Sequence, residues 1–228
     1  IGRYQEITGR APLPPRDSFG IWYTPYRPEK GVGGVADTAK KFRELDIPVD
    51  NFMVMSLGTS PGHGPRDLDE SVAMTREVSD ALMPFGVKTH LYITPMMNLG
   101  SKMEREARER GYAITGEDGT PYEVPLGVKS VGERGDSEYS LAMVDRDDAW
   151  RDRHNRIFYD PCLLPDFTNP EAVKWWKDRI IQIMQAGCAG IGMSDFGEDV
   201  PADAHFHNGR SGLEMHNIYT LLYQKATF

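Results

Sequence analysis

Apolar and polar residues alternate in blocks that predict strands and helices in turn. The segment SFGIWYT (18–24) is rich in aromatic and β-branched residues, which favours a strand. Residues 34–45 place apolar side chains at helical spacing, and NFMVMSL (51–57) again favours a strand. Residues 69–85 repeat the helical spacing, and VKTHLYI (87–93) alternates with the period of a strand. The pattern to this point is strand, helix, strand, helix, strand.

A fourth unit opens with a clear helix start. Asn169 is a capping residue type, Pro170 fits the first helical position, and Glu171 suits the positive end of the helix dipole. Apolar side chains at helical spacing then predict a buried stripe of Val173, Trp176, Ile180, Ile183 and Met184. The segment CAGIGMSDFGED (188–199) predicts a short, fully buried strand that ends at a polar turn. The sequence thus predicts an α/β fold of about four βα units with parallel connections.

A long insertion separates the third strand from this last helix. We place it at residues 98–165, and thirteen of the twenty-eight residues from 129 to 156 are charged. Such a segment buries too little apolar surface to form a core. Because it leaves from the carboxyl end of a strand, it is expected to lie over that face of the fold. It is either a functional loop at that face or a mobile, solvent-exposed loop without a functional role.

Composition narrows the function classes. The chain has 228 residues and 26 Lys plus Arg against 34 Asp plus Glu, a net charge of −8. This charge argues against nucleic acid or an anionic membrane surface as the partner, and a neutral substrate is compatible with it. No apolar run approaches the roughly 20 residues of a membrane span. Two cysteines exclude a disulfide framework and favour a cytoplasmic location. The start at Ile1 and the end inside a helical pattern suggest a fragment.

Asp195 is the strongest candidate for chemistry. It follows a predicted buried strand, so rigid backbone would hold its carboxylate at the edge where all the strands end. Asp residues at strand ends are more often caps or turn formers. The neighbouring Glu198 and Asp199 would raise each other's pKa if they were buried, and in a solvated loop they would not. Both readings stay open on position alone.

A second group of polar residues has the side chains of metal ligands. It comprises Asp203, His205, His207, Glu214 and His216. Two histidines two residues apart converge only on a strand, and the HExxH spacing is missing, so a hydrogen-bonding loop is favoured over a metal site. The glycines of residues 31–37 lack the spacing of a phosphate-binding loop, and Cys188 sits in an apolar segment typical of an inert thiol. We predict no metal and no cofactor.

Aromatic and methionine side chains cluster near the ends of the first and third strands. Their flat or soft surfaces suit stacking on sugar rings and suit core packing equally well. These residues are Trp22, Tyr23, Tyr26, Tyr92, Met96 and Met97.

Several segments, in order along nearly the whole chain, resemble glycoside hydrolase family 31, in particular its bacterial α-xylosidase and α-glucosidase group. They include YQEITGRAPLPPR (4–16), GYAITGEDGTPYE (111–123), DFTNPEAVKWWKD (166–178) and SDFGEDVPADAHFHNGRSGLEMHNIY (194–219). DFTNPEA combined with DFGED is more specific than any single motif. The resemblance implies a partial (β/α)₈ TIM barrel, with residues 1–228 forming one partial catalytic-barrel domain.

The resemblance also implies a reaction. Family members are retaining α-glycosidases whose nucleophile follows the fourth strand, and Asp195 holds that position. A second carboxyl about 5 to 5.5 Å away acts as acid and base. It belongs to a later part of the family's barrel, so this chain alone is expected to be inactive. We expect the sugar or oligosaccharide substrate to contact Trp22, Tyr92, Met55, Met193, Phe196 and His216. An oligomer is possible in the whole protein.

Three positions depart from the family pattern. Met55 replaces a sugar-binding aspartate, Asp17 replaces a tryptophan, and Met193 replaces a lysine two residues before the nucleophile position. Loss of a buried hydrogen-bond partner for a sugar hydroxyl costs about 1 to 3 kcal/mol of recognition. The alternative to an active glycosidase is therefore a non-catalytic or vestigial carbohydrate-binding member. A metal-dependent hydrolase using Asp203, His205 and His207 is a weaker possibility.

Overall fold

The computed structural model describes residues 2–10, 12–25, 30–54, 68–124 and 161–228. The strands in these ranges are β1 (Trp22–Tyr23), β2 (Asn51–Met53), β3 (Lys88–Ile93), β4 (Met97–Asn98), β5 (Cys162–Leu163) and β6 (Gly190–Ser194). A parallel sheet has the order β1-β2-β3-β6, and β4 pairs with β5 in a separate antiparallel ladder. The predicted α/β class and partial parallel barrel are confirmed.

Helices alternate with the strands of the parallel sheet. They are α1 (Gly2–Thr8), α2 (Gly31–Glu44), α3 (Leu68–Leu82), α4 (Lys102–Arg110), α5 (Pro170–Met184) and α6 (Gly212–Thr227). Two short 3₁₀ helices cover Arg16–Phe19 and Met83–Phe85. The glycines of residues 31–37 form the first turns of α2. None of the described helices has the length and apolar composition needed to cross a membrane.

The first strand is shorter than predicted. The sequence favoured a strand over 18–24, and the structure forms one only at Trp22–Tyr23. The preceding residues turn instead, because Ser18 N–H donates to the Pro15 carbonyl at 3.0 Å and Gly20 N–H donates to the Asp17 carbonyl at 3.0 Å. These local bonds satisfy backbone groups that a longer strand would have used.

The parallel sheet has two distinct faces because side chains alternate along each strand. The helix face packs against α2, α3, α5 and α6 and carries Phe52, Val54, Leu91, Ile93 and Ile191. The other face, here called the inner face, points toward the barrel interior and carries Trp22, Asn51, Met53, His90 and Tyr92. The larger of the two apolar cores therefore lies between the sheet and the last two helices.

The predicted insertion contributes to this core. Residues 98–124 and 161–165 of it are described, whereas the charged segment 129–156 lies outside the described residues. Met96 and Met97, whose pattern suits sugar stacking and core packing equally, are 1% and 0% exposed and belong to the core. Ile114 and Leu163 are fully buried beside them. The described part of the insertion is thus a packed layer beyond the carboxyl end of β3.

Helix α5 forms for the reasons read from the sequence. The Asn169 side chain accepts a hydrogen bond from Glu171 N–H at 3.0 Å, and Pro170 occupies the first turn. Trp176, Ile180 and Ile183 of the predicted stripe are buried, while Val173 and Met184 are partly buried. Trp175 joins the core with its ring 4.1 Å from the Arg179 guanidinium carbon.

The prediction that the fourth strand is fully buried is wrong. Gly192 and Met193 of β6 are exposed, and Met193 has 42% of its surface accessible. Within the described residues β6 pairs on one side only, with β3, so it forms an edge of the sheet. The small residues of this segment permit close packing, but a strand is fully buried only when it also has a neighbouring strand on each side.

A tight turn joins the end of β6 to α6 and depends on Gly212. A Cβ atom built there would lie 1.7 Å from the Pro201 carbonyl oxygen. Gly212 N–H also donates to the Ala204 carbonyl at 2.5 Å. The following helix is capped reciprocally, with Ser211 and Glu214 each bonding the other's backbone N–H. Backbone contacts therefore fix where α6 begins.

Replacing Gly212→Ala in the whole protein should lower the free energy of unfolding by at least about 2 kcal/mol, because the methyl group collides with backbone. Thermal and urea denaturation measure this. Gly33→Ala is the matched control: nothing lies within 4 Å of its built Cβ and it sits inside α2. That change should leave stability equal or raise it by about 0.5 to 1 kcal/mol. Equal stability of the two variants would contradict the packing of this turn.

Candidate active site

Asp195 lies immediately after β6 and extends its pairing with β3. Its backbone N–H donates to the Ile93 carbonyl at 2.9 Å, so the sheet ladder fixes the backbone at this point. The side chain is half-buried. The Tyr92 hydroxyl donates to Asp195 Oδ2 at 2.7 Å. The carboxylate is thus held at the carboxyl end of the sheet, where parallel α/β folds place their sites.

The pairing of β3 with β6 is irregular just before this carboxylate. Leu91 pairs with Ile191, but the next residue, Tyr92, pairs with Met193. Gly192 is therefore an extra residue on β6, the arrangement of a β-bulge. Bulges often re-aim side chains next to functional sites, and glycine within a strand commonly marks them.

The bulge reverses the alternation of side chains in β6. Ile191 packs against the core on the helix face. A Cβ atom on Gly192 would lie 3.2 Å from Cβ of His90, which places this position on the inner face. Met193 and Asp195 then also lie on the inner face, as the bond from Tyr92 to Asp195 requires. If the same residues continued in regular register after Leu91 and Ile191, Asp195 would point toward the helices.

The backbone turns sharply after Asp195. Phe196 has φ of 62° and Gly197 has φ of 109°, both in the region that L side chains rarely adopt. Gly197 is buried against α6, where a Cβ atom would lie 3.2 Å from Thr220 Cγ2. Such conformations cost about 1 to 3 kcal/mol for a residue other than glycine and concentrate at functional sites.

The acidic residues after this turn have unequal surroundings. Glu198 is exposed, whereas Asp199 is half-buried. Burial and the nearby Glu198 raise the pKa of Asp199, and His216 partly offsets this rise. His216 is exposed, and its Nδ1–H donates to the Val200 carbonyl at 2.8 Å. This bond leaves Nε2 of the ring available for other contacts.

The structure brings some of the predicted sugar-contact positions together. Tyr92 and Met193 flank Asp195 on the inner face, and Phe196 follows it with its side chain partly packed into the core. His216 lies on the first turns of α6, beyond the loop that leaves β6. Met55 lies outside the described residues, as does Tyr26.

Trp22 is not brought next to Asp195. Trp22 pairs with Asn51, which in turn pairs with Lys88 of β3. Ile93, which pairs with the last residue of β6, lies five residues further along β3. Five residues correspond to about 16 Å along a strand. The Trp22 ring instead lies 4.3 Å from the His90 ring, and its Nε1–H donates to the Ser18 carbonyl at 3.1 Å. It occupies the amino-terminal half of the sheet.

A polar network fills that half of the inner face, and the sequence did not reveal it. His90 Nε2 lies 2.8 Å from Asn51 Oδ1, and the Asn51 amide donates to the Asp17 carbonyl at 2.7 Å. The Asp17 carboxylate pairs with Lys88 at 2.9 Å, which lowers the pKa of Asp17. Burial lowers the pKa of His90. Asp17, one of the departures from the family pattern, therefore has an ionic partner of its own.

Asp166 is a second position that the sequence did not single out. It is 3% exposed. Its Oδ1 accepts hydrogen bonds from Thr168 N–H and hydroxyl at 2.9 and 2.6 Å, and its Oδ2 accepts from His207 N–H at 2.6 Å. The carboxylate thus ties the start of α5 to the loop after β6. The Asp-x-Thr pattern before a helix cap was the available signal.

The histidine and acidic residues of 203–216 do not form a metal site in the part of the chain that the structure describes. His205 pairs through its backbone with Thr115, and the Asp203 carboxylate accepts from the Tyr122 hydroxyl at 2.9 Å. Both cysteines are free, and burial raises the pKa of Cys188 to about 12, as expected for an inert thiol. The contacts of His205 and Asp203 tie this loop to the segment that contains Thr115 and Tyr122.

Comparisons with known proteins identify relatives along the whole chain. Residues 11–228 match the family described as "Glycosyl hydrolases family 31 TIM-barrel domain". The chain is 25% identical over 236 residues to the alpha-xylosidase XylQ of Lactiplantibacillus pentosus, and the aligned region covers 100% of this chain and 26% of that protein. It is 31% identical over 144 residues to the sulfoquinovosidase of Escherichia coli, covering 63% of this chain and 16% of that protein.

A solved structure supports the same fold. The Flavobacterium johnsoniae GH31 dextranase complexed with glucose superposes with a TM-score of 0.72 at 20% identity, over 99% of this chain and 25% of that chain. The chain therefore spans about a quarter of the length of these full-length relatives. Because the family match covers nearly all of the sequence and the parallel sheet agrees with it, this chain belongs to the TIM-barrel domain of glycoside hydrolase family 31.

Proposed function

We propose that the whole protein is a retaining α-glycosidase acting on α-xylosides or α-glucosides, with Asp195 as its nucleophile. One observation carries the assignment: the sheet ladder and the Tyr92 hydroxyl hold the Asp195 carboxylate on the inner face at the carboxyl end of β6. The relatives include enzymes named alpha-xylosidase and sulfoquinovosidase, which supports hydrolysis of a glycosidic bond.

The reaction proceeds in two displacements. In the first, a carboxylate oxygen of Asp195 attacks the anomeric carbon, and the electron pair of the breaking bond leaves with the aglycone oxygen. A second carboxyl donates the proton that this oxygen takes up. In the second, that carboxyl removes a proton from water, the water oxygen bonds to the anomeric carbon, and Asp195 leaves as a carboxylate. We assign the second carboxyl to the later barrel units, as the family resemblance implies.

Met193 bears on the choice of sugar. Its side chain lies on the inner face, two residues before Asp195. A thioether offers apolar contact and no hydrogen bond to a sugar hydroxyl of the strength an ammonium group provides. This composition favours a substrate with a less polar edge near the reacting carbon, which supports the xyloside over more polar sugars.

A second candidate is a carbohydrate-binding protein without catalysis. Methionine at positions 55 and 193, in place of an aspartate and a lysine of the family pattern, favours it. Both candidates take a neutral sugar or oligosaccharide, and a cytoplasmic location with reduced cysteines fits either. Turnover by the whole protein separates the two.

Replacing Asp195→Ala in the whole protein should reduce hydrolysis of 4-nitrophenyl α-xyloside and α-glucoside by at least about 10³-fold, because no covalent intermediate can form. Azide should restore turnover and give a glycosyl azide of inverted configuration, which NMR identifies. The matched control is Asp178→Ala, which removes an exposed carboxylate that pairs with Lys174 on α5. Full activity of the Asp195 variant would refute the assignment. Sugar binding by calorimetry without wild-type turnover would support the second candidate.

Replacing Met193→Ala should raise KM for the preferred aryl glycoside about 3- to 10-fold and change kcat little, because an apolar contact to the sugar is lost. Steady-state kinetics of the whole protein measure both constants. Met83→Ala removes another exposed methionine, 67% accessible in the 3₁₀ turn before β3, and should leave KM unchanged. Equal KM values for the two variants would place Met193 outside the sugar site.

A further inference from the structure

The bond between Tyr92 and Asp195 has the geometry of a strong, charge-assisted contact. The hydroxyl oxygen lies 2.7 Å from Asp195 Oδ2, within the short range typical of a neutral hydroxyl and a carboxylate. Both residues stand on rigid backbone, one within β3 and the other on the ladder that continues β6. The donor is therefore fixed in place before any substrate arrives.

The Tyr92 side chain is poorly placed to serve as a stacking platform. The residue is 2% exposed, so almost none of its ring surface is open for a sugar to cover. Its bulged register with Met193 turns the hydroxyl toward the carboxylate, a diagonal neighbour across the two strands. The contact that the structure gives Tyr92 at this site is with the reacting group itself.

The bond distinguishes the two oxygens of the Asp195 carboxylate. Tyr92 engages Oδ2, and no donor from the described residues reaches Oδ1. We propose that Tyr92 is a positioning residue that holds Oδ2 and so presents Oδ1 to the anomeric carbon. This inference rests on the proposed role of Asp195 as nucleophile.

The two displacements should depend on this bond unequally. When Oδ1 attacks, the carboxylate becomes an ester and loses its charge, so the bond to Oδ2 weakens. When water displaces the ester, the electron pair of the carbon–Oδ1 bond returns to the carboxylate and the bond strengthens. A donor on Oδ2 therefore assists Asp195 chiefly as a leaving group, and orientation assists both steps.

The test is the lifetime of the covalent intermediate in the whole protein. A 5-fluoroglycosyl fluoride of the preferred sugar traps the glycosyl-enzyme, which intact-mass spectrometry counts, and recovery of activity after removal of excess reagent gives the rate of its hydrolysis. Tyr92→Phe should slow this recovery about 10- to 100-fold, the value of one hydrogen bond to a charged group. With a fast-leaving aryl glycoside, kcat and KM should fall together because the intermediate accumulates.

The matched control is Tyr219→Phe. Tyr219 is fully buried, and its hydroxyl donates to the Pro165 carbonyl at 3.0 Å, away from the reacting carboxylate. This variant should lose thermal stability but recover from trapping at the wild-type rate. A role of Tyr92 in packing alone would make the two variants behave alike.

A second substitution covers the case in which Tyr92→Phe folds poorly. Incorporating 3-fluorotyrosine at position 92 keeps the ring and makes the hydroxyl a stronger donor, so recovery should be at least as fast as in the wild type. Slower recovery with 3-fluorotyrosine, or an unchanged rate in Tyr92→Phe, would overturn the inference. Either result together with an inactive Asp195→Ala variant would leave the proposed function standing, whereas an active Asp195→Ala variant would remove both.

Discussion

One extra residue in β6 decides which face of the sheet carries the carboxylate of Asp195, the proposed nucleophile. Side chains alternate between the two faces of a strand, and the last regular pair before Asp195 is Leu91 with Ile191. The face on which Asp195 lies therefore depends on the parity, odd or even, of the number of strand positions that separate it from this pair. The bulge at Gly192 changes that parity and turns Asp195 away from the apolar core. A carboxylate buried against the helices would carry a large desolvation cost and could not meet a substrate. The site therefore depends on the register of two strands.

The bulged strand needs support from the helix side, because it is an edge of the described sheet. Helix α6 supplies it: the Gln224 amide donates to the Ser194 carbonyl at 3.3 Å, and Gly197 packs beneath Thr220. The Asp166 carboxylate fastens the far end of the connecting loop through His207. Elements outside the strand that carries Asp195 thus set the position of this proposed nucleophile, as a precise site requires.

The sequence could predict what depends on local pattern. Hydrophobic spacing and capping residues predict the order of strands and helices, and the apolar segment before Asp195 predicts that this residue lies at a strand end. It could not predict what depends on pairing. The distance of Trp22 from Asp195 follows from register. The Asp-x-Thr pattern signals the bonds of Asp166 with Thr168, but its bond to the His207 backbone N–H, 41 residues away, leaves no mark on residue type.

The inner face has two layers of polar side chains, one toward the amino-terminal ends of the strands and one toward their carboxyl ends. Toward the amino-terminal end, hydrogen bonds and an ion pair join His90, Asn51, Asp17 and Lys88, whereas the buried His90 Nδ1 has no hydrogen-bond partner among the described residues. Toward the carboxyl end, the Tyr92 hydroxyl is directed at the single carboxylate Asp195. The hydrogen bonds of the first layer stabilise the sheet, whereas the Asp195 carboxylate has one oxygen held by Tyr92 and, among the described residues, no donor on the other. This division agrees with the general separation of stability and chemistry between the two ends of a (β/α)₈ barrel. For the proposed glycosidase, we expect the sugar contacts of this part of the protein at the strand ends and in the loops that follow them.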